Sequence, residues 1–180
     1  MLVERIKELT EIFIREFGSL TVRQLNWKAS RENWSIGQCI HHLIVSNEIY
    51  FPVLNKIRSG KYTMTFWEKH NPFSHYTGRK MVNTLGPLLT RKYKSPLLFH
   101  PSASEFNEGL MQDFTDHQNK LIDLFAEFEK DNYNHIVMTS PVAGLITFPV
   151  HDGLRLIVAH EERHLNQAME IKSNSLFPQQ

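Results

Sequence analysis

An all-α fold built on four long helices is what this chain predicts, and three observations predict it. Apolar residues recur at spacings of three and four in four separate stretches. Capping residues stand at the heads of three of them. Strict alternation of apolar and polar residues, the mark of a half-buried strand, is nowhere convincing. At 180 residues one domain is the default, spanning 1–180, with enough chain to bury a substantial core.

The first helix covers 2–17, where Val3, Ile6, Leu9, Ile12, Phe13 and Phe17 form one apolar stripe that Gly18 stops. A loop follows, ending in Arg31-Glu32-Asn33-Trp34. Ser35 and Gln38 make a capping box at the head of the second helix, 36–59, whose stripe is Ile36, Ile40, Leu43, Tyr50, Leu54 and Ile57. Pro52 lies inside that run, removes a backbone hydrogen bond and predicts a kink. Residues 61 to about 103 carry Pro72, Gly78, Gly86, Pro87, Pro96 and Pro101, which break every period. A structureless stretch of that length is uncommon, so short helical turns wrapped on the bundle are expected. Ser102 and Glu105 make a second capping box, opening a third helix over 104–130 through Phe106, Leu110, Phe114, Leu121, Leu124, Phe125 and Phe128. A connection with Pro141 and Gly144 follows. Thr147 is the expected N-cap of the fourth helix, 148–172, with Pro149 tolerated in its first turn. There is no internal repeat and no low-complexity tract.

Composition narrows the function. Twenty basic and nineteen acidic residues nearly cancel, and no basic block exceeds a solvated surface, so no nucleic-acid partner is expected. No run approaches the roughly 18 apolar residues of a membrane span, so no membrane partner is expected either. The charged start MLVERIKELTEIF does not read as a signal peptide. Cys39 is the only cysteine, which excludes an internal disulfide or a multi-cysteine zinc site and fits the cytosol. Ten histidines is a high count.

Two of them, His160 and His164, sit four apart on the fourth helix. At about 100° per residue they lie roughly 40° apart and about 6 Å along the axis, on one face, where both rings can reach one divalent ion. A third ligand must come from another helix. On the second, His41 and His42 are the candidates. A helical wheel points His41 to solvent and sets His42 at the edge of the apolar stripe, beside Cys39 and Ser46. His70, His75, His100, His117, His135 and His151 fall in loops or on polar faces and read as solvated. The run His160-Glu161-Glu162-Arg163-His164 also fits the H-E-x-x-H pattern of zinc proteases. Those enzymes take their third ligand downstream, and the sixteen residues after His164 hold Glu170 but no histidine. Glu161 lies near the middle of the helix's apolar side, placed for a catalytic role as base or hydrogen-bonding support, or simply at a helix–helix rim.

Three stretches together resemble the DinB-like, or YfiT-like, metal-binding four-helix bundles of bacteria. They are Trp34-Ser35-Ile36-Gly37-Gln38-Cys39-Ile40-His41-His42-Leu43, Ser140-Pro141-Val142-Ala143-Gly144-Leu145-Ile146-Thr147, and His160-Glu161-Glu162-Arg163-His164-Leu165-Asn166-Gln167. Lys92 to Ser102, with Pro96 and Pro101, is similar to that family's crossing segment. The resemblance implies an up-down-down-up bundle with long connections. It implies metal binding by His42, His160 and His164, the metal being zinc, nickel or a similar divalent ion. Homodimers are common in the family, and exposed-candidate aromatics at Phe66, Trp67, Phe73 and Tyr76 point the same way. Some relatives are thiol S-transferases using bacillithiol or a similar cofactor, and another branch holds mycothiol-dependent maleylpyruvate isomerases.

Three neutral imidazoles would leave the ion its +2 charge and open positions, able to lower the pKa of a bound water towards ~7 or to deprotonate a thiol. The leading expectation is a metal-dependent transferase acting on a small-molecule substrate with a low-molecular-weight thiol. A metal-dependent hydrolase is the runner-up and would need a carboxylate such as Glu161 or Glu48 at the metal. A non-catalytic metal or small-ligand binding module is the third reading.

Overall fold

The structure is a computed structural model that describes residues 1–85, 105–130 and 133–179. Its elements are helices α1 (Leu2–Phe17), α2 (Val22–Asn26), α3 (Ile36–Glu48), α4 (Phe51–Arg58), α5 (Phe66–His70), α6 (Ser74–Leu85) and α7 (Leu110–Lys130), strands β1 (Val137–Ser140) and β2 (Ala143–Pro149), and helix α8 (Val150–Lys172). The described residues are mostly helical, as expected, and include one small two-stranded sheet that was not.

The longest helices share one core. α1 packs on α7 and α8, and α3 packs on the same two. Ile6, Leu9, Phe13 and Phe17 of α1 are wholly buried, and the Phe13 ring lies 4.9 Å from that of Phe114 on α7. Ile36, Ile40 and Leu43 of α3 and Leu54 of α4 fill the opposite side. Each belongs to the stripe that its 3.6-residue period picks out.

Several boundaries differ from expectation, each for a local reason. The long second helix is two. Pro52 has no N–H to offer the Glu48 carbonyl, so α3 ends there and Tyr50 N–H bonds Asn47 O at 2.9 Å instead. Pro52 then falls in the first turn of α4, where a missing N–H costs nothing. The loop after Gly18 contains the short helix α2, opened by a capping box of Thr21 with Gln24. The third helix starts at Leu110 rather than 104, because Asn26 grips the Phe106 backbone on both sides. Its amide donates to Phe106 O at 2.7 Å and its carbonyl oxygen accepts from Phe106 N at 2.8 Å. Of the expected capping box there, Ser102 lies outside the described residues and Glu105 stands exposed ahead of the helix. His100 and the crossing segment through Pro96 and Pro101 lie outside them as well. Within 61–85 the expected short helices are present as α5 and α6.

The larger correction is the hairpin. Met138 pairs with Phe148 and Thr139 with Thr147, antiparallel, with the register shifting between Thr139 and Ser140. Thr147 is therefore a strand residue, not an N-cap. Its hydroxyl takes a bond from Asn71 Nδ2 at 2.9 Å and shares one with Ser74 Oγ at 2.7 Å. Pro149 sits at the N-cap position and α8 begins at Val150.

Glu68 fastens this hairpin to α5. Its buried carboxylate accepts from Tyr62 Oη at 2.6 Å, from Thr139 N at 2.8 Å and Oγ1 at 2.7 Å, and from Thr65 N at 2.7 Å. Desolvation works to raise its pKa, but the hydrogen bonds from Tyr62, Thr139 and Thr65 outweigh it and hold the group below the usual 4.5. The carboxylate thus contributes stability that is fully present above pH 4.5 and is lost as the pH falls through the lower folded value. Glu68→Gln should cost about 2 kcal/mol at neutral pH. The gap between parent and variant in urea denaturation should narrow on acidification; a gap that stays constant through pH 4 would contradict this role.

Candidate metal centre

His42 owes its direction to the start of α3. Ser35 Oγ accepts from Gln38 N at 3.1 Å, and Gln38 Oε1 accepts from Ser35 N at 3.2 Å. This capping box fixes the phase of the helix, which turns His42 to the seam with α8 and leaves it only 4% exposed. On α8, His160 and His164 stand one turn apart and face the same seam. The three rings converge: His160 Nε2 lies 3.1 Å from His42 Nε2 and 3.1 Å from His164 Nε2. Among the described residues this is the one group of three or more metal-ligand side chains with all donor atoms within 4.8 Å of one another. Trp34, just ahead of the cap, stacks on His164 with an interplanar angle of 12° and meets His42 edge-on, walling one side.

Those contacts fit one small divalent ion. Two imidazoles on a zinc-sized ion, with bonds of about 2.0–2.1 Å at a tetrahedral angle, hold their nitrogens roughly 3.3 Å apart. The observed spacing is within a few tenths of an ångström of that. Charge state fits as well. Burial lowers the pKa of His160 to about 3, with His42 and Arg163 adding to the shift. Burial likewise holds His164 well below the ordinary value, helped by His160, His42 and Arg163. Neutral rings keep the lone pairs that a cation needs.

The surroundings select the tautomer of His160. Ser46 Oγ donates to the Leu43 carbonyl at 3.2 Å, which leaves a lone pair towards His160 Nδ1, 3.5 Å away. That network assigns the ring proton to Nδ1 and the lone pair to Nε2, the atom at the centre of the cluster.

Glu161 is fully buried but looks away from the rings. Its Oε1 accepts from Asn47 Nδ2 at 2.9 Å and Gln118 Nε2 at 2.7 Å, so it ties α8 to α3 and α7. Burial pushes its pKa up to about 7, against the pull of those two amides. Its carboxylate is not among the clustered ligand atoms. Glu48 is exposed.

Among the other histidines, His41 is not the solvent-facing residue expected. Its ring is half-buried against Phe106, with centroids 5.2 Å apart, because Gly37 one turn back lets the Phe106 ring settle on α3. His117, expected to be solvated, is buried edge-on to Phe51, and burial lowers its pKa to about 4. Phe51 comes from α4, so nothing near residue 117 in the chain announces that packing. His70, His75, His135 and His151 are exposed, as expected. Cys39 is buried, and desolvation raises its thiol pKa far from any reactive range. The supporting residues that sequence reasoning passed over are Asn47 and Gln118. Their signal was a polar side chain in an apolar register, four residues after Leu43 and four after Phe114.

A family model described as the DinB superfamily matches residues 5–168. That is most of the chain, and the chain belongs to the DinB superfamily. No curated protein and no solved structure matches it.

Calorimetric titration should show one equivalent of Zn²⁺ bound by the parent. Alanine at His42, His160 or His164 should weaken that affinity at least about 100-fold with the circular dichroism unchanged, while His41→Ala retains it. Ser46→Ala should cost about tenfold. Retention of tight binding by His42→Ala, or its loss in His41→Ala, would show that the ligand set is wrong.

Proposed function

We propose that this member of the DinB superfamily is a metal-dependent thiol S-transferase, holding one divalent ion on His42, His160 and His164 and acting on a small electrophile with a low-molecular-weight thiol. The observation that carries the reading is the convergence of three Nε2 atoms, that of His160 lying 3.1 Å from those of His42 and His164. A divalent ion there, ligated by neutral groups alone, would keep its full charge and make a thiol far more acidic than it is in water.

The chain's own residues support transfer over hydrolysis. A hydrolase needs a carboxylate placed to take a proton from water, whereas Glu161 stands outside the cluster of ligand atoms, with Oε1 turned to Asn47 and Gln118, and Glu48 is exposed. Glu161 in this reading holds α8 in place rather than acting as a base. A transferase needs a cation for an anionic thiol, and the Arg163 guanidinium lies near enough to lower both His160 and His164. Cys39 cannot serve as the nucleophile, so the sulfur must arrive with a co-substrate. The bond that forms is carbon–sulfur. The bond that breaks joins that carbon to its leaving group, and the thiol proton leaves to solvent.

The up-down-down-up order of the four longest helices, the homodimer and a cytosolic location belong to the same proposal. The shared packing of α1 and α3 on α7 and α8 supports the first. Among the described residues no helix is long and apolar enough to cross a membrane.

The test is thiol consumption by zinc-loaded protein, measured with cysteine, glutathione and bacillithiol against an aryl halide. The reading expects consumption that depends on metal and falls at least about 100-fold in His160→Ala. Metal-dependent ester hydrolysis with no thiol consumption would transfer the reading to the hydrolase, and neither activity would leave a binding module.

A further inference from the structure

The α5–α6–hairpin lobe carries a second surface, remote in chemistry from the histidines. Phe66, Phe73, Tyr76 and Leu145 are 79%, 65%, 60% and 84% exposed, and Trp67 is half exposed. They belong to one lobe because α5 packs on β1 and α6 on β2. Trp67 Nε1 donates to Leu145 O at 3.2 Å, and Asn71 and Ser74 bond to Thr147 of the same strand.

The charge around these side chains is one-sided. Residues 61–85 and 133–152 contain Lys61, Lys69, Arg79 and Lys80 but only two carboxylates, both buried: Glu68, which is fully bonded, and Asp152, which lies against Gly78 of α6. All four cations are exposed, and none forms an ion pair among the described residues. The rest of the sequence carries 16 of the 20 basic and 17 of the 19 acidic residues and is close to neutral, so the surplus of cations falls in this lobe. Within the lobe, aromatic and cation alternate: Lys69 follows Phe66 by three, and Lys80 follows Tyr76 by four with its Nζ 5.8 Å from the ring.

We propose that the face of Phe66, Trp67, Phe73, Tyr76 and Leu145, with Lys69, Arg79 and Lys80, is a peripheral docking surface for an anionic lipid bilayer. Protruding apolar tips backed by cations are what an interfacial anchor requires: the tips enter the headgroup layer and the cations meet lipid phosphates. A second copy fits less well, since isologous pairing on this face would oppose cation to cation with no exposed carboxylate to receive them. A nucleic-acid strand also fits less well, because Leu145, the most exposed of the five, offers no ring for a base to stack on. The sequence expectation of no membrane partner rested on the lack of a spanning segment, and a surface that only lies on the bilayer leaves no such mark.

Co-sedimentation with vesicles of phosphatidylglycerol, and separately of phosphatidylcholine, tests this on the full chain. Binding should be confined to phosphatidylglycerol and weaken as salt rises. Lys69→Glu/Lys80→Glu should lower it at least about 30-fold. Phe66→Ser/Leu145→Ser should lower it at least about tenfold. Both variants should keep the parent's helical spectrum and zinc affinity, since every substituted side chain is exposed. Equal binding to neutral vesicles, or none to anionic ones, would overturn the proposal. So would tighter binding to a single-stranded oligonucleotide, or patch substitutions whose main effect is to dissociate a dimer in sedimentation.

Discussion

The seam between α3 and α8 is the constraint on which the rest of this structure depends. Two helices meet there through buried and half-buried polar side chains, in adjacent pairs: Ser46 with His160, and Asn47 with Glu161. Gln118 extends the second pair to α7. In a core, each group left without a partner costs on the order of 1–3 kcal/mol. These contacts therefore admit few relative positions of the helices, and apolar packing alone would admit more. The histidine nitrogens converge because these contacts fix α3 against α8 beside the rings.

That arrangement separates support from chemistry. Burial keeps His160 and His164 uncharged, and the Glu161 carboxylate takes two amides on Oε1 and stands outside the cluster of ligand atoms. An ion bound there would meet neutral donors only, the condition under which it most strongly acidifies what binds next. The outer layer follows the same economy of carboxylates. Glu68 is spent on holding the hairpin to α5, which leaves that lobe with cations alone at its surface.

How much of this was legible in the chain depended on whether the cause was local. The stripes of α1, α7 and α8 are set by residues three and four apart, so their existence and most of their ends could be read directly. His42 could be separated from His41 by the same wheel. What escaped reading has a distant cause. The hairpin strands are short, interrupted by Pro141 and Gly144, and held by Glu68, Asn71 and Ser74 some 70 positions away. The start of α7 is delayed by Asn26, 80 residues earlier. Burial of His41 and His117 follows from Phe106 and Phe51, aromatics that arrive from other elements. The exposed lobe was legible in part: Phe66, Trp67, Phe73 and Tyr76 could be read as exposed aromatics, but Leu145 and the cations beside them could be placed only once the hairpin was known.

X-ray absorption at the zinc edge, on protein loaded with one equivalent of the metal, reads the ligand set without substituting any residue. The account predicts a first shell of three imidazole nitrogens, with the outer-shell scattering of three rings, completed by oxygen from solvent. A shell containing Cys39 sulfur, or one with two or fewer imidazoles and carboxylate oxygen in their place, would contradict it.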